Sequence, residues 1–345
     1  MNRRTVLAGM AATAVSPFTA SGTSQQHRTP VGELLVTGIR DAMLSGDPGT
    51  AMVSSLVDGL DAATARTFTD FDNGRYAGLA VRLPGLIRAG HAATARNGDS
   101  ADYNRLAEAY LLATRMLIKV GEQELGWMAA DRARRLAQAG GDELAVAESA
   151  RQLAVLVRRA GLYDQALTIA VTAADTLALG RSGPSQTAVR GLLVQSAAYT
   201  AAKAGDTAAM RELTGDAEAL AAGLGGTALR DHSGGFSTAT VRLHLISAEN
   251  SAGDPAAALA AARTITPHQL PSPERRARYY TDVAAALGTS RRRAECVRAL
   301  LAAEHHAGED TYSRPAVRSL IASLLVSGRT TSDLRGLAVR AGVAA

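Results

Sequence analysis

Arginine dominates the chemistry this sequence can offer. Of 37 basic side chains only Lys119 and Lys203 are lysines, and guanidinium groups suit planar, two-point pairing with carboxylates and phosphates. Several arginines recur at helical spacing among amides, hydroxyls and few carboxylates. The set comprises Arg115, Glu148, Arg151, Arg158, Gln195, Tyr199, His244, Asn250, Arg275, Arg278, Asp282 and Arg318. Arrayed along one surface, they would clamp the carboxylate of an extended peptide or an acidic metabolite. The competing reading is that Arg and Glu pair across neighbouring helices and merely knit them together. His244 likewise reads either as a groove-lining donor or as a satisfied core histidine.

Catalytic constellations are poorly represented. Asp231, His232 and Ser233 are consecutive, whereas a nucleophile, base and orienter must converge in space, and no G-x-S-x-G elbow surrounds the serine. The stretch "GLGG" at Gly223–Gly226 lacks both the third-glycine spacing and the preceding strand of a dinucleotide site. His305 and His306 are adjacent, so they diverge by about 100° on a helix, and no H-E-x-x-H spacing occurs. One cysteine, Cys296, excludes an intrachain disulfide and a Cys-based zinc site. No metal, cofactor or enzymatic step is expected from these residues.

The elements that must position the arginines are helical. Hydrophobic residues make up 47% of 345 residues, yet aromatics only 4%, and alanine and leucine favour packed helices over sheets. From about residue 31 apolar positions recur at helical spacing, with Gly, Asp, Pro or Ser at the turns. The stretch "ESARQLAVLVRRAGLYDQALTIAVTAADTLA" resembles a tetratricopeptide unit. Leu153 and Ala154 stand on helix A, Gly161 and Tyr163 mark the turn, and Ala166, Ala170 and Ala173 are the small residues of helix B. Turn glycines are expected at Gly121, Gly161, Gly205, Gly253, Gly288 and Gly328, somewhat further apart than the repeat unit of about 34 residues. Pro84 is expected near a turn or kink. The fold implied is an all-α, tetratricopeptide-like α-solenoid of antiparallel helix pairs, a right-handed superhelix with a concave groove lined by the A helices. Trp127, the single tryptophan, falls beside the packed seam that Gly126, Ala130 and Ala133 make on a B helix. It reads as a packing device.

Residues 1–30 form a separate segment, followed by one helical repeat domain over 31–345. "MNRRTVLAGMAATAVSPFTASG" reads either as a twin-arginine export signal or as a linker with solvated arginines. Val6 stands where such signals usually carry phenylalanine. No run approaches the ~20 apolar residues of a membrane span. The net charge of +5 invites nucleic acid. The arginines, however, are spread along the helices without a concentrated recognition element, so direct DNA binding is not expected.

Several segments resemble a known family. "RYAGLAVRLPGLI", "ELGWMAADRARRLA", "GGFSTATVRLHLISAENSAGDPAAAL", "LPSPERRARYYTDVAAAL" and "YSRPAVRSLIASLL" look like the sensor half of actinobacterial Xre-type helix-turn-helix transcriptional regulators. In that family the region follows a DNA-binding domain, and no helix-turn-helix pattern is visible in the residues before the repeats. The resemblance implies a cytoplasmic sensing module that binds an anionic small molecule, a peptide or a partner regulatory protein, including a second copy of itself. The alternatives are a scaffold, cytoplasmic or exported, and a biosynthetic enzyme that uses the groove as its active site.

Overall fold

Four of the six Gly-Asp dipeptides in the chain lie at helix junctions, and each of the four does two jobs. Gly98, Gly141, Gly205 and Gly253 all have positive φ, between 65° and 85°, a conformation that costs glycine little and closes a helix in the left-handed region. The aspartate that follows caps the next helix. Asp99 accepts from the Asp102 N–H, Asp142 from Leu144 and Ala145, Asp206 from Ala209, and Asp254 from Ala257. Stop and start signals two residues wide therefore set a chain of short-looped helices.

In the computed structural model residues 30–44, 59–180, 183–225, 235–328 and 330–344 are described, and among them lie fifteen α-helices and no strand. In order they are α1 Pro30–Leu44, α2 Leu60–Asp72, α3 Tyr76–Arg96, α4 Ser100–Val120, α5 Gln123–Gly140, α6 Glu143–Arg159, α7 Tyr163–Leu179 and α8 Pro184–Ala204. They continue with α9 Thr207–Gly223, α10 Thr238–Ser251, α11 Pro255–Ala262, α12 Pro273–Thr289, α13 Arg293–Ser313, α14 Pro315–Val326 and α15 Ser332–Arg340. Each even-numbered helix packs against its successor as an antiparallel pair, and the even-numbered helices also touch one another along the stack. The all-α, solenoid-like architecture expected from the sequence is the one observed.

The solenoid does not end as an open groove. Besides the successive contacts from α4 to α12, α12 touches α2 and α2 touches α4, while α13 reaches α3. The inner helices thus form a closed ring, and the groove expected from the sequence becomes a central cavity. α1 packs on the outside of α3, where Gly38 makes room for the Pro84 ring, a Cβ at that glycine falling 2.8 Å from Pro84 Cγ. Pro84 is buried in the middle of α3, not near a turn as expected.

Small residues set the spacing between helices. Gly126, Ala130 and Ala133 on α5 are all buried, as are Ala166 and Ala170 on α7, and a Cβ at Gly126 would press on Leu156 of α6. Trp127 lies half-buried against Ile118, Ala130, Val155 and Leu156, closing the seam between α4, α5 and α6. Gly121, Gly161, Gly205 and Gly253 are left-handed turn residues as expected. Gly288 is not. It lies inside α12, packed under Leu320, and the positive φ at that turn belongs to Arg291. Residues 1–29, with the paired arginines, and Asp231, His232 and Ser233 lie outside the described residues. No helix among the described residues is long and apolar enough to cross a membrane.

A cationic cavity as the candidate functional site

The ring encloses a cavity of about 1470 Å³. On each inner helix, residues three, four or seven apart share one face, and that face is repeatedly basic. Arg115 and Lys119 come from α4; Arg151, Arg158 and Arg159 from α6; Lys203 from α8; Arg275 and Arg278 from α12. Arg291, Arg293 and Arg314 bring the cationic lining residues to eleven, against two lining carboxylates, Glu274 and Asp282.

Part of this charge is neutralised in place. Glu148, buried behind the wall, accepts from Arg115 at 2.9 Å, from Arg151 at 2.7 and 2.6 Å, and from Gln152 at 2.7 Å. Burial alone would raise its pKa, but Arg151 and Arg115 outweigh that and hold it at about 2. Arg278 donates to Asp282 at 2.8 Å and to Ser247 at 2.9 Å, and Asn250 spends its amide on the Asp282 carbonyl.

A second cluster locks the ring. Lys119 of α4 bonds Glu274 of α12 and Asp310 of α13, the latter at 2.9 Å. Arg314 reaches Asp310 at 2.9 Å and Glu274 at 3.0 Å, and the Tyr76 hydroxyl donates to Asp310. Lys119 also sits 4.8 Å over the Phe71 ring of α2. Burial opposes every charge here, yet the cations lower Asp310 and hold Glu274 well below the usual carboxylate range, and the acids push Arg314 up.

What remains is a group of cations with little or no opposing charge. Arg159 makes no hydrogen bond or ion pair among the described residues. Arg158 uses only Nη1, toward the Thr200 hydroxyl at 3.1 Å and Ser196, while its guanidinium lies 4.6 Å over the Tyr199 ring. Burial and the neighbouring guanidiniums draw Arg158 down to about 10, still charged at neutral pH. Arg275 has one carboxylate, its own neighbour Glu274 at 3.5 Å, and its Nε is buried without a hydrogen bond. His244 lines the same wall and makes no hydrogen bond among the described residues. Burial, with Arg275, Arg278, Arg151 and Arg158 all bearing on it, holds its pKa well below the usual value, so the ring is neutral at pH 7.

Of the residues expected in the groove, Arg115, Arg151, Arg158, Tyr199, His244, Arg278 and Asp282 line the cavity together with Arg275. Four do not. Glu148 and Asn250 stand behind the wall as partners of its arginines, and Gln195 is buried with neither amide atom bonded. Arg318 lies on α14 away from the cavity, because Val317, Leu320 and Leu324 take the inward face there. Sequence reasoning missed Lys119, Arg159, Glu274, Arg293 and Arg314. Lys119 was accessible as the residue four after Arg115, one helical turn along the same face. Glu274 and Arg314 owe their places to ring closure, which no local pattern encodes. Among the described residues no group of three or more His, Cys, Asp or Glu could hold a metal. No family model, no curated protein and no solved structure matches this chain.

Proposed function

We propose that this protein is a sensing module that holds an anionic small molecule or peptide segment inside its ring and presents the liganded ring to a regulatory partner. The observation that supports the reading is the imbalance of charge on the cavity wall. Eleven lining cations face two lining carboxylates, with Glu148 and Asp310 behind them. Seven positive charges therefore remain in excess; Arg159, Lys203 and Arg291 are exposed to solvent, and repulsion among the less exposed cations favours binding of an anion. A plain scaffold has no use for such an imbalance. The sensing assignment also rests on the resemblance of the helical segments to the sensor half of helix-turn-helix regulators.

Thermal unfolding of the purified chain in citrate, inorganic pyrophosphate and an acidic peptide tests the anion reading, against chloride at matched ionic strength. A rise in Tm with at least one of these anions is expected. The Arg159→Gln variant should reduce that rise while leaving the ligand-free Tm unchanged or higher, because Arg159 makes no hydrogen bond or ion pair among the described residues. Equal Tm values in all anions and chloride would overturn the reading.

A further inference from the structure

Resting on the anion-binding reading, we propose that the cluster of Arg158, Arg159, Arg275 and Arg278 around His244 is a subsite for a phosphate group, and that the ligand is a phosphorylated small molecule. Three observations carry the choice of phosphate over carboxylate or peptide.

The first is the number of donors at one place. α6 supplies Arg158 and Arg159, α10 supplies His244, and α12 supplies Arg275 and Arg278; all five line the cavity, and the Arg278 charge bears on each of the other four. A carboxylate offers one charge and two oxygens, and Glu148 shows such a group filled by two guanidiniums and an amide. Here Arg158 has Nη2 and Nε to spare, the exposed Arg159 makes no hydrogen bond or ion pair among the described residues, and the buried Arg275 Nε, 3.5 Å from Glu274, makes no hydrogen bond. A phosphate group, with close to two charges and three terminal oxygens, matches that surplus.

The second is His244. It lines the same wall with no hydrogen bond among the described residues, and its neutral ring carries one N–H and one bare nitrogen, so it can donate to a phosphate oxygen or accept from a singly protonated one. The third concerns the peptide alternative. An extended peptide must have its backbone amides and carbonyls satisfied by polar side chains along the inner helices. The amides on those helices are already committed or withdrawn: Asn250 bonds the Asp282 carbonyl, Gln152 bonds Glu148, and Gln195 does not reach the cavity. Of the two amides that line the wall, Gln152 is spent on Glu148 and only Gln123 is left to read a peptide backbone, against eleven cations.

Isothermal titration of the full chain without divalent metal, at fixed ionic strength, tests the proposal with inorganic pyrophosphate and ADP as probes. Citrate and hexaglutamate serve as phosphate-free anions. Pyrophosphate or ADP is expected to bind at least about tenfold more tightly than either phosphate-free anion, and Arg159→Gln and Arg275→Gln should each weaken that binding by about tenfold. Tighter binding of ADP assigns an esterified ligand and tighter binding of pyrophosphate a free polyphosphate; both support the subsite. Citrate or hexaglutamate binding as tightly as the phosphates would overturn the proposal and leave the anion reading standing. Silence from every probe would overturn both. Phosphate binding untouched in Arg159→Gln would place the site elsewhere and overturn the assignment.

Discussion

Glu148 shows how one carboxylate can organise a wall of arginines. It is buried, accepts from three side chains, and has a pKa depressed from 4.5 to about 2. A depressed carboxyl stabilises the folded state wherever it is ionised. The contribution, on the order of 3 kcal/mol, is fully present above pH 4.5 and is lost as the pH falls toward 2. Glu148→Gln should therefore destabilise the protein by about 3–5 kcal/mol at pH 7, since Arg115 and Arg151 lose their counter-ion. In urea denaturation the gap between variant and wild type should narrow steadily from pH 5 to pH 3; a gap independent of pH would show that the charge is not what matters. At this scale the sequence was informative about residue type and partly about placement. Helical spacing put Arg151, Arg158, His244 and Arg278 on one surface. The same spacing could not tell Glu148 and Asn250, which support the wall from behind, from residues that face the cavity. Both kinds of position lie within one helical turn.

Within the elements, the register between inner helices depends on a few contacts where a side chain occupies the space of a missing Cβ. The sharpest is between α8 and the segment entering α10. The Phe236 ring, fully buried, lies over Gly191, and a Cβ there would fall 2.0 Å from its Cζ. Gly191→Ala should cost about 1–3 kcal/mol through overpacking, read as a drop in Tm, and Phe236→Leu should recover part of the loss. Additive effects of the two changes would mean that the ring does not set the α8–α10 spacing. Helices and turns were the most legible part of the sequence, because Gly-Asp pairs are local signals with local consequences. The exceptions have a shared cause. Gly288 resembles a turn glycine by spacing, but tertiary packing under Leu320 absorbs it into α12 and Arg291 takes the left-handed position instead. Pro84 resembles a helix breaker, but Gly38 on a neighbouring helix accommodates its ring.

For the whole molecule the decisive feature is the junction of Lys119, Glu274, Asp310 and Arg314, whose members come from residues far apart in the chain. Asp310 is fully buried and accepts from Tyr76, Lys119 and Arg314. Asp310→Asn leaves Lys119, Arg314 and Arg275 sharing one carboxylate, Glu274, and a loss of about 3–5 kcal/mol is expected. If the junction holds the ring shut, the same variant should show an increased radius of gyration by small-angle scattering. A destabilised but equally compact variant would argue that apolar packing closes the ring. None of this was legible beforehand, since an open groove and a closed ring are built from the same repeats and differ in curvature accumulated over many of them. Closure also changes how the molecule comes apart. An open array of repeats is a line with two ends, each repeat held by its neighbours, and such lines fray from their ends inward. The ring from α2 to α12 has no terminal helix to start from, and only the α14–α15 pair lies beyond its closure. The first inner helix to leave must break two interfaces at once, so α2 and α12 should exchange their amide hydrogens as slowly as α6 and α8, and the chain should lose its structure as one body rather than repeat by repeat.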